Sequence, residues 1–187
     1  MVKGSTILQT VAIYGGSFDP MHNGHLQVIQ EGLKQLPIDK LIVVPNYLNP
    51  FKTKVIASSQ KRLQWLKEVT KPYKDVIVSD FEIQRKQPTP SIITVKHFLQ
   101  KYDKIYFIIG ADNLKNLHRW QDFATLDRLV TWVVATREGY ESANYQQLNV
   151  CVDISSSSLR RRLDIDFIPK QIQKDVKETY AKDRSTS

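Results

Sequence analysis

Residues 15–25 read GGSFDPMHNGH, and this stretch decides how the rest of the chain is interpreted. It follows a β-type run at residues 10–14 and precedes apolar residues at helical spacing between 26 and 36. A strand, a glycine-rich turn and a helix in this order bring backbone N–H groups and a helix N-terminus to a phosphate. His22 and His25 lie three residues apart at the start of the helix, so they share a face and can contact phosphoryl oxygens.

The composition is that of an ordinary globular protein of 187 residues, with 41% hydrophobic and 25% charged residues. This length suits a single domain over residues 1–187, with a frayed end. No apolar run approaches the roughly 20 residues of a membrane span, and the N-terminus lacks the layout of a signal peptide. Cys151 is the single cysteine and cannot form an internal disulfide, which favours a cytoplasmic location.

The net charge of +8 comes from 27 Lys and Arg residues against 19 Asp and Glu residues. A basic balance suits anionic partners such as nucleotides, nucleic acids or acidic membranes. The charges are dispersed, and residues 160–162 form the one tight cluster. We therefore expect the charge to act on polyphosphate substrates rather than on nucleic acid, because no nucleic-acid recognition motif is present.

Strand-like runs alternate with helical patterns along the chain. The predicted strands are residues 10–14, 40–45, 76–78, 104–110, 131–135 and 150–152. Among the predicted helices, one is capped by Ser58 or Ser59, one begins at Ser91, and two closing helices span 156–163 and 170–181. This alternation predicts an α/β fold, a parallel sheet with helices on both faces, whose ligands bind beyond the carboxyl ends of the strands.

The run at residues 15–25 resembles the signature of the nucleotidyltransferase superfamily. Its residues are most similar to the form of this signature in bacterial nicotinate mononucleotide adenylyltransferases. Residues 154–160, ISSSSLR, resemble the second signature of that superfamily, with Ser157 where the family usually has threonine. The resemblance extends from residue 11 to about residue 176. It implies a Rossmann-like nucleotidyltransferase fold.

The resemblance implies an enzyme of NAD biosynthesis. It would transfer the adenylyl group of ATP to nicotinate mononucleotide, giving nicotinate adenine dinucleotide and pyrophosphate, without a covalent enzyme intermediate. The implied cofactor is Mg²⁺, held mainly by phosphates and water because no carboxylate cage is visible. We expect no metal site made of protein ligands, since His22 and His25 lack a third ligand.

The resemblance also assigns the residues that act on ATP. The implied catalytic residues are His22, His25 and Arg160. The other implied ATP contacts are Gly15, Gly16, Ser17, Phe18, Lys52, Arg137, Ile154, Ser155, Ser156 and Ser157. In this scheme both histidines contact the phosphates, Lys52 is a point charge for them, and Arg160 clamps the β- and γ-phosphates.

The implied mononucleotide contacts are Ser91, Gly110, Asp112 and Trp120. Gly110 and Asp112 lie at the C-terminal end of a predicted strand, and Trp120 lies eight residues beyond Asp112. The resemblance matches them to the family's Gly-Ala-Asp segment and to its tryptophan that stacks on the pyridine ring. Asp112 can hold ribose hydroxyls or a metal-bound water. Ser91 is interpreted as the cap of a helix whose first amides receive the nicotinate carboxylate.

The roles of three positions stay open in the sequence. Phe51 stands where the family commonly has histidine, and Pro90 stands where it tends to have tyrosine, so the roles of those family residues are in doubt here. Asp19 either orders its turn through an Asx-type backbone bond or contacts a ligand.

Two other functions compete with the leading hypothesis. One is a sister adenylyltransferase that uses nicotinamide mononucleotide or phosphopantetheine. The position of Trp120 favours a pyridine acceptor but does not separate acid from amide. The other is a non-catalytic nucleotide- or RNA-binding protein, which the presence of His22, His25 and Arg160 disfavours. The sequence leaves open whether the protein forms a homo-oligomer.

Overall fold

The computed structural model describes residues 9–48, 55–136, 145–150, 159 and 164–185. The strands in these ranges are β1 (Thr10–Gly16), β2 (Lys40–Pro45), β3 (Val76–Val78), β4 (Lys104–Gly110), β5 (Thr131–Thr136) and β6 (Gln146–Asn149). The α-helices are α1 (Asn23–Gln35), α2 (Ser59–Thr70), α3 (Phe81–Gln84), α4 (Ser91–Phe98), α5 (Phe123–Leu129) and α6 (Gln173–Ser185). Three 3-10 segments span Ala111–Arg119, Ile165–Phe167 and Lys170–Ile172. Within the same ranges, no helix combines the length and apolar content that crossing a bilayer requires.

The six strands form one parallel sheet in the order β3-β2-β1-β4-β5-β6. The chain runs outward from β1 to β3, returns to the other side of β1, and runs outward again from β4 to β6. The order of the strands therefore reverses between β1 and β4. In parallel sheets of this kind, the loops that leave two such strands diverge and open a crevice at their carboxyl ends.

Both faces of the sheet are covered, so successive side chains of each strand enter different cores. Ala12 and Tyr14 belong to the core that includes residues of α1, α2 and α6. Val11 and Ile13 belong to the core that includes residues of α4 and α5. This arrangement confirms the predicted α/β fold with helices on both faces of a parallel sheet.

The predicted elements differ from the structure at three places. The described sixth strand lies before the predicted one: β6 ends at Asn149, and Val150 follows it, whereas residues 151–152 lie outside the described ranges. The strand was missed because β6, QQLN, is a polar edge strand with one buried side chain, Leu148. Helix α3 is not among the predicted helices, and the helix predicted at 170–181 begins as a 3-10 turn.

Ser58 is confirmed as the cap of α2, since its Oγ accepts a hydrogen bond from the backbone N–H of Lys61 at 3.3 Å. The helix predicted at 156–163 and Cys151 lie outside the described residues, apart from Leu159.

Candidate active site

Two histidines pair at the N-terminus of α1. His22 is the N-cap residue, and its Nδ1 accepts a hydrogen bond from the backbone N–H of His25 at 3.3 Å. In return, His25 Nδ1 accepts one from the backbone N–H of His22, also at 3.3 Å. The two rings are stacked, with centroids 3.6 Å apart. Because each Nδ1 accepts a hydrogen bond, the hydrogen of each neutral ring lies on Nε2, from which it can be donated to a phosphate oxygen.

Phe18 packs against this pair. Its buried ring meets the His25 ring edge-on, with centroids 4.9 Å apart. Its φ of 49° lies in the left-handed region, which costs a non-glycine residue about 1–3 kcal/mol and persists only where surrounding contacts impose it. A Cβ on Gly16 would come within 3.1 Å of the same ring, so glycine permits this close packing. The Phe18 ring therefore packs within the turn.

A buried arginine connects the turn after β1 to the neighbouring loops. The Arg62 side chain has no exposed surface. It donates hydrogen bonds to the carbonyl oxygens of Ser17 at 2.6 Å, Asn46 at 2.8 Å, Tyr47 at 2.9 Å and Ala57 at 3.2 Å. The planar guanidinium group suits this task because its donors form a rigid fork. One side chain thus holds the turn after β1, the loop after β2 and the start of α2.

Asp19 is the acidic member of this network. Its buried carboxylate accepts hydrogen bonds from the backbone N–H groups of Ile56 and Ala57, each at 3.0 Å, and from the Tyr180 hydroxyl of α6. Burial lowers the pKa of Arg62, whereas the charges of Asp19 and Tyr180 act in the opposite direction. Asp19 therefore orders the turn through partners that are distant in sequence.

A cleft of about 280 Å³ lies at the carboxyl ends of β1, β2 and β4. This is the position expected from the reversal of strand order between β1 and β4. The cleft brings together four of the predicted site residues, Gly15, Gly16, Ser91 and Trp120. Its volume is near the lower end of the range for small-molecule sites, which begins at about 300 Å³.

Trp120 is half-buried in the wall of this cleft. Two rings meet it edge-on, Phe107 with a centroid distance of 6.3 Å and Trp132 with one of 6.2 Å. These contacts fix the orientation of the indole. A flat side chain fixed in this way can stack on an aromatic ring of a ligand.

Ser91 lines the cleft, but the prediction that it caps α4 is wrong. Pro90 takes the N-cap position with an extended backbone, and the helix has no side-chain cap. The fixed φ of proline suits an extended residue that ends one segment before a helix begins. Ser91 is thus the first helical residue. The Ile93 N–H already donates to the Pro90 carbonyl at 2.9 Å. Helix N-termini leave further N–H groups without an acceptor in the helix, so this end of α4 can still receive an anion.

Gly110 ends β4 and Asp112 lies just after it, as predicted, yet neither is among the residues that line the cleft. The exposed Asp112 carboxylate folds back, so that a Cβ on Gly110 would lie 2.5 Å from Asp112 Oδ1. Asn113 lines the cleft instead, and its Nδ2 donates to the Gly110 carbonyl at 3.2 Å. The structure therefore places Asp112 beside the cleft, with its carboxylate toward Gly110.

Residues 13–162 match the family described as cytidylyltransferase-like. The chain belongs to the cytidylyltransferase-like family. The match contains both signature segments, the histidine turn and residues 154–160.

Relatives of this cytidylyltransferase-like protein carry a more specific name. The "Probable nicotinate-nucleotide adenylyltransferase" of a Nitratiruptor species is 43% identical over 173 residues, which are 91% of this chain and 98% of the relative. The protein of the same name from Campylobacter fetus subsp. fetus is 45% identical over 173 residues, with 91% and 96% covered. The structure of Plasmodium falciparum nicotinic acid mononucleotide adenylyltransferase complexed with NaAD has the same fold, with a TM-score of 0.74 at 21% identity over 92% of this chain and 96% of that chain. The resemblance to nicotinate mononucleotide adenylyltransferases is confirmed.

Part of the ATP site predicted for this cytidylyltransferase-like protein lies outside the described residues. These positions are Lys52, Arg137, Ile154, Ser155, Ser156, Ser157 and Arg160, together with Phe51. Leu159, within the second signature, is described and buried. The described site therefore consists of the histidine turn and the cleft beside it.

Several polar residues of the cleft were not predicted as site residues, among them Asn46 and Glu82. Asn46 Nδ2 lies 3.4 Å from Ser17 Oγ, which joins the loop after β2 to the glycine turn. Glu82 is buried and accepts a hydrogen bond from the Thr94 hydroxyl at 2.6 Å. Both lie in polar stretches, where sequence alone does not distinguish a buried polar residue from an exposed one.

Proposed function

We propose that this cytidylyltransferase-like protein is a nicotinate-nucleotide adenylyltransferase, which transfers the adenylyl group of ATP to nicotinate mononucleotide. The observation that carries the proposal is the cleft that joins the glycine turn at Gly15 and Gly16 to Ser91 and Trp120. A glycine turn at a helix N-terminus suits phosphates. An indole beside the first turn of α4 suits an aromatic ring that bears a carboxylate.

The chemistry needs positioning and charge stabilisation more than proton transfer. A phosphate oxygen of the acceptor attacks the α-phosphorus of ATP in line, an O–P bond forms, the bond to the β-phosphate oxygen breaks, and pyrophosphate leaves. The attacking oxygen is already anionic, so no general base is required. Donors already in place around the phosphates can then supply most of the rate enhancement.

We assign these donors to the histidine pair and to the second signature. His22 and His25 each hold Nδ1 on a backbone amide, which supports assigning the Nε2–H of each neutral ring to a phosphate oxygen. Arg160 is assigned to the β- and γ-phosphates and Lys52 to the triphosphate, on the resemblance of their sequence segments. The remaining ATP contacts are assigned to the backbone at residues 15–18 and to residues 137 and 154–157.

Adenylyl transfer from ATP takes a divalent metal ion, and we propose Mg²⁺. In the described ranges, no three His, Cys, Asp or Glu side chains converge as a set of metal ligands. This fits an ion held chiefly by phosphate oxygens and water, which is the usual way that Mg²⁺ binds with nucleotides. When bound, the ion would neutralise charge on the triphosphate.

We further propose that residues 1–187 act as a single catalytic domain in the cytoplasm, with ATP and nicotinate mononucleotide as partners. The single cysteine fits a reducing compartment. Phosphopantetheine is the weaker acceptor candidate, because it has no aromatic ring to stack on Trp120.

Replacing Trp120 by alanine tests the acceptor site. Loss of a stacking surface is expected to raise KM for nicotinate mononucleotide by roughly 5- to 100-fold, since base–aromatic stacking contributes about 1–3 kcal/mol. KM for ATP is expected to stay within about twofold, and Trp120→Phe should recover most of the loss because it keeps a flat ring. Steady-state kinetics with each substrate varied in turn measures both. Equal losses for both substrates would mean that Trp120 is a packing residue, and absence of turnover by the wild-type protein would contradict the reaction itself.

A further inference from the structure

Glu82 places a buried carboxyl group in the wall of the acceptor cleft. Its side chain is in the same cleft lining as Ser91 and Trp120, and the residue is 7% exposed. Thr94 Oγ1 donates to Glu82 Oε1 at 2.6 Å, and no donor to Oε2 occurs in the part of the chain that the structure describes. Burial raises the pKa of Glu82 to about 7, although the Thr94 hydrogen bond and the charge of Arg85 lower it. Glu82 can therefore change its protonation state near neutral pH.

Three other charged or titratable groups lie on the segments next to Glu82 or in the same cleft lining. Arg85 follows it on the same turn, and Arg85 Nε donates to Thr89 Oγ1 at 3.2 Å. His97 of α4 stacks on Phe81, with centroids 3.9 Å apart, and burial lowers the pKa of His97. Arg119 lines the cleft and is exposed. Among the described residues, none of these three groups forms an ion pair with Glu82. A charged ligand in the cleft can therefore change the protonation state of Glu82.

An acceptor carboxylate held at the first turn of α4 would share a confined site with Glu82. Two negative carboxylates at close range disfavour each other, and the usual result is that one of them holds a proton. An amide acceptor carries no charge at the same position and has no such requirement.

We propose that Glu82 takes up a proton from solvent when a carboxylate-bearing acceptor enters the cleft, so that the preference for acid over amide acceptors falls as pH rises. Protonated Glu82 can donate its Oε2 hydrogen to the ligand carboxylate, whereas ionised Glu82 can only accept, which suits an amide. Glu82 is thus a specificity-determining residue. This inference rests on the proposed function, because it takes the acceptor carboxylate to be bound near Ser91.

The first test measures kcat/KM for nicotinate mononucleotide and for nicotinamide mononucleotide between pH 6.0 and pH 8.5. Both acceptors carry the same ribose phosphate, so its titration cancels in the ratio of the two values. Between pH 6.5 and pH 8.5, the acid-to-amide ratio of the wild-type protein is expected to fall by roughly 20-fold, as linkage to one group of pKa about 7 requires. The acid-to-amide ratio falls because the acid acceptor binds the protein in which Glu82 is protonated, and this form becomes rare above the pKa of Glu82.

Three variants separate Glu82 from other causes of pH dependence. Glu82→Gln keeps the shape of the side chain but cannot titrate, so its ratio should not change with pH. Thr94→Val removes the hydrogen bond that lowers the Glu82 pKa, so the midpoint of the fall should move to higher pH. Glu68→Gln changes an exposed glutamate of α2 and should keep the wild-type profile. Circular dichroism verifies that each variant is folded.

Calorimetry without ATP gives a readout independent of turnover. Titration of nicotinate mononucleotide at pH 7.5, in buffers of different ionisation enthalpy, should show uptake of roughly 0.8 proton by the wild-type protein and none by Glu82→Gln. A ratio that does not change with pH in the wild type, or proton uptake that persists in Glu82→Gln, would overturn the inference while leaving the adenylyltransferase intact. A protein that uses neither acceptor would overturn both.

Discussion

Replacing His25 by alanine is expected to lower kcat by about 10²- to 10³-fold, the effect of removing one donor that stabilises charge in a transition state. His25 Nδ1 is held by the backbone N–H of His22, and the proposed role assigns its Nε2–H to the phosphates of ATP. The same substitution removes half of a capping box and should therefore lower the free energy of unfolding by only about 1 kcal/mol. A large loss of turnover with a small loss of stability separates a catalytic role from a structural one.

His118→Ala is the matched control for this experiment. His118 lies in the 3-10 segment Ala111–Arg119 and is exposed, so both turnover and stability should stay close to those of the wild type. Arg160→Ala, chosen from the second signature, should reduce turnover to a similar degree as His25→Ala. Near-wild-type kcat in His25→Ala would contradict the role assigned to the histidine pair.

Replacing Arg62 by leucine is expected to give the largest loss of stability. The change leaves four carbonyl oxygens without their donor and removes the positive charge beside the buried Asp19. Breaking a buried charged network in this way costs about 3–5 kcal/mol. For a protein of this length the melting temperature should fall by roughly 6–20 °C, which thermal unfolding followed by circular dichroism measures.

Arg62→Lys and Arg128→Leu complete this comparison. Lysine keeps the charge but lacks the planar fork that reaches four carbonyls, so Arg62→Lys should recover less than half of the lost stability. Arg128 is exposed on α5, and Arg128→Leu should change the free energy of unfolding by no more than about 0.5 kcal/mol. A lysine variant as stable as the wild type would show that charge alone, and not the fork, holds the loops together.

Much of the fold could be predicted because parallel strands buried on both faces have a strong signature. The runs that became β2 and β4 are short, apolar and bounded by polar residues, and they lie where they were predicted. The glycine turn and the two histidines were assigned from a local pattern, and the structure places both histidines at the start of α1 as expected. Trp120 and Ser91 were assigned from the resemblance, and both line the cleft.

The missed features depend on contacts between residues distant in sequence. Asp19 is bonded to Ile56 and Ala57, 37 and 38 residues away, and to Tyr180, 161 residues away, which no local pattern could indicate. Arg62 lies on a helix with many charged residues, where an arginine is normally exposed. The sequence contains no sign that its guanidinium is buried among four carbonyl oxygens. The sequence likewise contains no sign that Glu82 is buried or that its pKa depends on burial and on Thr94 of another helix.

Release of pyrophosphate is the most direct test of the central claim that this cleft supports adenylyl transfer to nicotinate mononucleotide. The wild-type protein is incubated at pH 6.5 with ATP, Mg²⁺ and one of three acceptors: nicotinate mononucleotide, nicotinamide mononucleotide or phosphopantetheine. We predict rapid release with nicotinate mononucleotide, much slower release with the amide, and none with phosphopantetheine. Two results would contradict the assignment of the cleft to a pyridine mononucleotide. One is pyrophosphate release with phosphopantetheine as fast as with nicotinate mononucleotide, and the other is no release with any of the three acceptors.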